Sequence, residues 1–120
     1  MKKVLIVEDN EKNMYLMSFI LTKNGYEVIK CGTGEEGVEA AVKEKPDLII
    51  MDIQLPGIDG LEATKRIRES EANHDIPIIA ITSYAMAGDK EKILAAGCNG
   101  YIEKPIDPET FLAEIGRYLK

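Results

Sequence analysis

Acidic side chains follow two apolar runs of this chain, each at the point where its run ends. Glu8 and Asp9 come directly after "VLIV", and Asp52 comes directly after "LIIM". Thr82 closes "IIAI", and Lys104 comes after "GYIE". Carboxylates that lie close together repel one another unless a cation is present, and oxygen ligands suit Mg²⁺, with Mn²⁺ as an alternative ion. These residue types therefore predict a divalent metal site beside a hydroxyl and an ammonium group.

The ends of these four runs must meet if the residues are to act together, and the pattern of the chain indicates that they do. Short apolar runs alternate with stretches of helical periodicity, which predicts five strands and five helices in strict alternation. This alternation is typical of a parallel sheet that helices cover on both faces. Capping signals stand at the predicted helix ends, namely Gly25, Gly97, Asp59 with Glu62, and Asp107 with Pro108.

The composition of the strands predicts their order across the sheet. Strands buried on both faces are apolar throughout, whereas edge strands carry charge, so "EVIKC" and "GYIEK" are the edges. The predicted fold is α/β, a doubly wound five-stranded parallel sheet of order 2-1-3-4-5 with helices on both faces. In this order the winding reverses between strands one and three, and ligands bind at such a point, outside the carboxyl ends of the strands. A single acidic residue at the end of a strand usually only begins a loop. Five polar side chains at the same rim, those of Glu8, Asp9, Asp52, Thr82 and Lys104, instead indicate a functional site.

The composition excludes several classes of protein. The chain has 120 residues, which fits one domain over residues 1–120. Its 21 acidic and 15 basic residues give a formal charge of −6, and no basic stripe is present to bind a phosphate backbone. No apolar stretch is long enough for a membrane span or a signal peptide. We therefore expect a cytoplasmic protein that binds neither nucleic acid directly nor membranes.

Cysteine and histidine give no further site. Cys31 and Cys98 belong to opposite edges of the predicted sheet, about 19 Å apart, which is beyond the reach of a disulfide. His74, the one histidine, lies in the polar stretch "ESEANHD". A zinc site requires three or four nitrogen or sulfur ligands, so we assign His74 no chemistry.

The segment "GTGEEG" matches the dinucleotide-binding pattern G-x-G-x-x-G, and Asp52 follows Gly32 by 20 residues, where that pattern has its acidic residue. Two observations oppose a nucleotide site. Strand two is a predicted edge, away from the switch point, and Glu35 and Glu36 stand where a pyrophosphate requires bare amides. The preferred interpretation is a glycine-rich turn whose acids favour a helix N-terminus.

Four segments resemble the successive signatures of one family, the receiver domain of two-component response regulators. They are "VLIVEDN", "DLIIMDIQLPGIDG", "IIAITSYAM" and "GYIEKPI", and the resemblance extends from Lys2 to Leu119. The family has the flavodoxin-like strand order predicted above, which the chemotaxis receiver CheY shares. Within the family the chain resembles single-domain cell-cycle receivers of the DivK type. Receivers of hybrid histidine kinases share the same strings, so a domain cut from a hybrid kinase or a larger regulator stays an alternative.

The resemblance implies a phosphoacceptor and a set of metal ligands. Asp52 resembles the phosphoacceptor, and the resemblance implies that it binds the ion together with Asp9, a direct ligand. Glu8 resembles a ligand that acts through water and takes a position where Asp is commoner in the family. Gln54 offers its backbone carbonyl to the same ion.

Further residues resemble the family's phosphoryl-binding, switch and lifetime groups. Thr82 and Lys104 resemble the groups that hold the phosphoryl oxygens, with a cis bond implied between Lys104 and Pro105. Tyr101 resembles the switch aromatic, which turns when Thr82 moves. Gln54 and Tyr84 are expected to flank the route of hydrolytic water and to tune the lifetime of the phosphorylated form.

The implied function is signalling by phosphotransfer. The domain would accept a phosphoryl group from a sensor histidine kinase or a histidine phosphotransfer protein, and it would catalyse its own phosphorylation and dephosphorylation without being an enzyme for another substrate. A downstream partner protein would bind the face made by the fourth helix, the fifth strand and the fifth helix.

Two remote alternative functions each require residues that this chain does not have at the necessary positions. An aspartate-nucleophile phosphatase needs a second Asp at the position of Gln54. A flavodoxin-like carrier needs a hydroxyl- and glycine-rich loop where "EDN" stands.

Overall fold

The structure is a computed structural model that describes residues 1–70, 75–83 and 87–119. Within these residues five strands and five helices alternate, as the sequence predicts. Tyr84 and His74 lie outside the described residues. The strands are β1 (Lys3–Val7), β2 (Glu27–Cys31), β3 (Leu48–Asp52), β4 (Ile78–Thr82) and β5 (Gly100–Glu103). The helices are α1 (Glu11–Lys23), α2 (Gly34–Glu44), α3 (Gly60–Glu69), α4 (Ala87–Ala96) and α5 (Pro108–Tyr118).

The strands form one parallel sheet of order β2-β1-β3-β4-β5, which confirms the predicted fold class. Every residue of β3 and β4 is buried, whereas Glu27 and Lys30 of β2 are exposed. The difference in charge between central and edge strands therefore indicated the order correctly. The register pairs Val7 with Met51 and Asp52 with Ile81, so the carboxyl ends of the strands lie level at one rim.

Side chains of alternate strand residues point to opposite faces of the sheet and enter two separate apolar cores. Leu5 and Val7 of β1 belong to the core beneath α2, α3 and α4. Val4 and Ile6 belong to the core beneath α1 and α5, where Phe111 is completely buried. Because helices cover both faces, the polar rim is where the central strands come closest to solvent.

The capping residues predicted from the sequence are present. Asp59 and Asp107 accept hydrogen bonds from the backbone N–H groups three residues later, and Pro108 opens α5. Gly25 and Gly97 follow their helices with positive φ angles of 88° and 115°, where a side chain would be strained. These caps fix where each helix begins and ends relative to the rim.

The "GTGEEG" segment is the turn from the edge strand β2 into α2. Thr33 caps the helix by accepting a hydrogen bond from the backbone N–H of Glu36. A Cβ atom on Gly34 would lie 2.7 Å from Ile58, and one on Gly37 would lie 2.7 Å from Val7. These glycines therefore allow close packing of α2 against its neighbours, which explains the motif without a nucleotide.

Cys31 and Cys98 are both free thiols and both buried, as expected from their separation across the sheet. Burial raises the pKa of each thiol above its ordinary value.

Within residues 1–70, 75–83 and 87–119, none of the helices combines the length and the apolar character needed to cross a membrane.

Candidate active site

Three carboxylates meet at the carboxyl rim of the sheet. Asp52 is the last residue of β3, and Glu8 and Asp9 directly follow β1. Glu8 and Asp52 are each only 2% exposed, whereas Asp9 is exposed to solvent. One carboxylate oxygen from each residue lies within 4.8 Å of the others. The structure therefore brings together the acidic cluster that the sequence predicts.

Lys104 reaches the same cluster from the end of β5. Its Nζ donates a hydrogen bond to Asp52 Oδ2 at 3.3 Å and lies 3.4 Å from Glu8 Oε1. Its backbone N–H donates to the carbonyl of Thr82 at 2.8 Å, so the ends of β4 and β5 are joined at the rim. The Lys104–Pro105 bond is cis, as the resemblance implies. One ammonium group thus faces two buried carboxylates.

Glu8 has the most strongly perturbed carboxyl group of the site. Its backbone N–H donates to the carbonyl of Cys31, and its Oε2 accepts from the backbone N–H of Asn10 at 3.2 Å. Burial, and after it the neighbouring Asp52 carboxyl, raise the pKa of Glu8 to about 7, although the Asn10 N–H and Lys104 oppose the rise. Within the described part of the chain, Glu8 Oε1 accepts no hydrogen bond. This buried oxygen is under-coordinated, although an ammonium group is close.

The donor set fits a hard divalent cation. It consists of carboxylate oxygens that lie within 4.8 Å of one another, from two buried residues and one that is open to solvent. Mg²⁺ prefers one or two carboxylates and keeps several waters, which an exposed ligand such as Asp9 permits. A cation would also reduce the repulsion between the buried acids and add a partner for Glu8 Oε1, which accepts no hydrogen bond from the described residues. Glu8, Asp9 and Asp52 are therefore the residues that would hold the ion.

The main chain around Asp52 is fixed from several directions. The backbone N–H of Gln54 donates to Asp52 Oδ1 at 3.2 Å, and that of Ile53 donates to the Ile81 carbonyl at 3.1 Å. The first residue of α3, Gly60, packs directly on this segment, because its N–H donates to the Ile53 carbonyl and a Cβ atom on it would overlap the Asp52 carbonyl oxygen. The Asp52 carboxylate is thus presented by a rigid backbone.

Thr82 and Tyr101 lie farther along the same rim. Thr82 ends β4, is 4% exposed, and borders a cavity of about 200 Å³ that Gln54 and Ile93 also line. The Tyr101 side chain is half-buried on β5 and packs against the core beneath α4. The side chain of Gln54 is exposed. The two proposed switch residues therefore occupy neighbouring strands on the α4 side of the site.

Sequence reasoning missed two residues that the structure places at or near the site. Asn10 caps α1 and orients Glu8, and an Asn before an apolar helical run is a capping signal that could have indicated it. Lys90 of α4 lies with its Nζ 5.3 Å from the centroid of the Tyr101 ring. No local sequence signal marks Lys90, because the contact joins residues on two separate elements.

Comparisons with known proteins agree with this geometry. Residues 4–116 match the response regulator receiver domain. The polar-differentiation response regulators DivK of Brucella ovis and Brucella anthropi are 48% and 47% identical over 118 residues, which cover 98% of this chain and 96% of each relative.

Solved structures are similar over nearly the whole chain. Chemotaxis protein CheY4 of Vibrio cholerae is 34% identical with a TM-score of 0.95, over 99% of both chains. The receiver domain of the sensor histidine kinase PA1611 from Pseudomonas aeruginosa, solved with a magnesium ion coordinated in its active site cleft, is 37% identical with a TM-score of 0.91, over 98% of this chain and 96% of that one. Since the family match, the full-length relatives and the acidic rim all agree, this chain belongs to the response regulator receiver domain family.

Proposed function

We propose that this receiver accepts a phosphoryl group on Asp52 from a sensor histidine kinase or a histidine phosphotransfer protein, and then binds a downstream partner with altered affinity. The observation that carries the proposal is the buried Asp52 carboxylate, which lies beside a lysine and two further acids at an open rim. Its backbone cannot easily move, so a donor must bring the phosphoryl group to a preorganised nucleophile.

In the proposed transfer, a carboxylate oxygen of Asp52 forms a bond to phosphorus while the bond from phosphorus to the donor's imidazole nitrogen breaks. Lys104 hydrogen-bonds the carboxylate before transfer, and it neutralises charge on the phosphoryl oxygens during transfer. Thr82, at the end of the adjacent strand, would then donate a hydrogen bond from its hydroxyl group to a phosphoryl oxygen.

The acidic cluster supports a role for Mg²⁺, since it fits the ion and the PA1611 receiver is described with magnesium in its cleft. Bound by Asp52 and Asp9, with Glu8 acting through water and Gln54 through its backbone carbonyl, Mg²⁺ would supply positive charge against the phosphoryl oxygens. In the same proposal Gln54 and Tyr84 flank the path of hydrolytic water and set the lifetime of the phosphorylated form.

The output of the domain is a changed surface. When Thr82 engages the phosphoryl group, Tyr101 turns toward the vacated space, which alters the face made by α4, β5 and α5. A partner protein that binds this face distinguishes the two states. The resemblance to DivK and CheY4, both signalling proteins by name, supports this class of output.

The proposal is tested by incubation with acetyl phosphate, with and without Mg²⁺, followed by intact mass measurement. We expect the mass of one added phosphoryl group only when Mg²⁺ is present, and none in Asp52→Asn. Asp59→Asn is the matched control, because Asp59 is an exposed helix cap outside the acidic cluster and Asn also caps helices. Labelling of Asp52→Asn at the wild-type rate would refute the assignment.

A further inference from the structure

Lys90 and Tyr101 form a contact that the phosphotransfer chemistry does not require. Lys90 belongs to α4 and Tyr101 to β5, and Lys90 Nζ lies 5.3 Å from the ring centroid, within the range of a cation–π interaction. Tyr101, and to a smaller extent the nearby Glu103, raise the pKa of Lys90 above its ordinary value. The charged ammonium group of Lys90 thus lies close to the Tyr101 ring.

The position of the contact connects it to the site. Tyr101 lies three residues before Lys104, on the strand that pairs with β4, and Ala80 is its register partner. Its ring packs on one side against the apolar core beneath α4, and the half-buried Lys90 contacts it from α4. A rotation of the ring, or a shift of α4 relative to β5, separates the two groups.

In the structure, the contact between Lys90 and Tyr101 is present together with the hydrogen bond from Lys104 to the unmodified Asp52 carboxylate. The proposed function requires the Tyr101 ring to leave its present position after Asp52 is modified. A group that stabilises the present ring position therefore opposes the modified state by an equal free energy.

We propose that Lys90 is a positioning residue that holds Tyr101 in this conformer and so sets how much phosphorylation is needed to switch the α4–β5–α5 face. The inference rests on the proposed function, since it concerns the same switch. An exposed cation–π pair shifts an equilibrium about two- to five-fold, so Lys90 tunes the threshold and does not block the switch.

The experiment has two readouts on the full chain. The first is the NMR shift of the Lys90 ε-methylene protons without any phosphoryl mimic, which reports the ring contact directly. The second is a titration with beryllium fluoride in Mg²⁺, followed by ¹⁹F NMR of fluorotyrosine at position 101. The variants are Lys90→Met, Lys90→Arg and Tyr101→Leu. Lys43→Met is the charge-matched control, because Lys43 is exposed on α2 near the other edge of the sheet.

We expect an upfield ε-methylene shift that disappears in Tyr101→Leu. We also expect Lys90→Met to lower the beryllium fluoride concentration at the midpoint of the titration about two- to five-fold. Lys90→Arg should have a midpoint close to that of the wild type, and Lys43→Met should leave the midpoint unchanged. Arginine should restore the midpoint because guanidinium groups also stack on aromatic rings.

Three results would overturn the inference. The first is a wild-type ε-methylene shift equal to that of Tyr101→Leu, which would show that the contact does not form. The second is equal midpoints for Lys90→Met and Lys43→Met. For the third result, Glu103→Gln is added to the variants, and its midpoint is lowered as far as that of Lys90→Met while the ε-methylene shift persists. The attraction between the Lys90 and Glu103 charges would then explain the effect without the ring contact. A wild-type Tyr101 signal that never responds to the mimic would instead refute the proposed switch itself, together with this role of Lys90.

Discussion

Glu8 and Asp52 share one ammonium group, and this is the main electrostatic feature of the site at the scale of single residues. Both carboxylates are 2% exposed, and Lys104 lies within 3.4 Å of each. A single lysine is shared between two buried carboxyl groups, and the pKa of Glu8 is raised first by burial and then by the neighbouring Asp52. The site is therefore arranged for a further cation at some cost to the stability of the fold.

Asp52→Asn should stabilise the protein in the presence of EDTA. The change removes one of two repelling carboxylates and lets Lys104 pair with Glu8 alone. We expect the free energy of unfolding to rise by about 1 kcal/mol, measured by urea denaturation. Asp59→Asn should change it by less, because Asp59 is exposed and caps α3. A loss of stability in Asp52→Asn would show that the ion pair with Lys104 outweighs the repulsion.

Asp9→Ala should weaken Mg²⁺ binding more than Glu8→Ala does. Asp9 is the exposed member of the cluster and the proposed direct ligand, whereas Glu8 is partly neutralised by Lys104. We expect a loss of about tenfold or more in affinity for Asp9→Ala and a smaller loss for Glu8→Ala, measured by NMR titration with Mg²⁺. The reverse order would mean that Glu8 coordinates the ion directly.

At the scale of elements, much of the arrangement could be predicted because it depends on local signals. Charged edge strands and apolar central strands indicated the order, and parallel strands bring their carboxyl ends to one rim, which placed Glu8, Asp52 and Lys104 together. The sequence could not predict that Lys104 contacts both acids, or that Lys90 covers Tyr101, since both contacts depend on side-chain conformations between separate elements. The proposed role of Tyr84 stays a prediction.

The start of α3 is the element boundary that most directly supports the phosphoacceptor. Gly60 opens the helix, and a Cβ atom there would lie 2.8 Å from the Ile53 Cα and would overlap the Asp52 carbonyl oxygen. Backbone atoms cannot give way as the end of a flexible side chain can. The close packing of α3 on β3 therefore requires glycine at this position.

Gly60→Ala should lower the free energy of unfolding by about 3 kcal/mol or more, because α3 must move away from the Asp52 segment. Gly116→Ala is the matched control within a helix. Its Cβ atom would have no described atom within 4 Å, so it should raise the free energy of unfolding by about 0.5–1 kcal/mol through helix propensity. Urea denaturation measures both. Equal effects of the two variants would contradict the packing described for Gly60.

At the scale of the whole molecule, the proposed switch involves only one side of the sheet. Thr82, Tyr101 and Lys90 belong to β4, β5 and α4, whereas α2 contacts β1, β2 and α3. Between the two sides, every residue of β3 and residues 4–7 of β1 are buried, and such interiors are close-packed. A local change at Thr82 should therefore alter the α4 side and leave the β2 edge in place.

Beryllium fluoride with Mg²⁺ should change the amide chemical shifts around Thr82 and over the face of Tyr101, α4 and α5. The amides of α2 should change little, because this helix covers the other end of the sheet. A two-dimensional NMR comparison with and without the mimic measures this. Changes confined to the acidic cluster, or centred on α2, would contradict the proposed surface change.

The charges on the edge strands β2 and β5 also affect whether the protein aggregates at high concentration. An outer strand has unpaired backbone groups that can accept a strand from another molecule and begin an aggregate. Glu27 and Lys30 on β2, and Glu103 on β5, are exposed at these two borders. A strand added there would have to desolvate these ionised groups, so both borders resist fibre-like association. The same side chains that indicated the strand order thus help to keep the folded molecules apart.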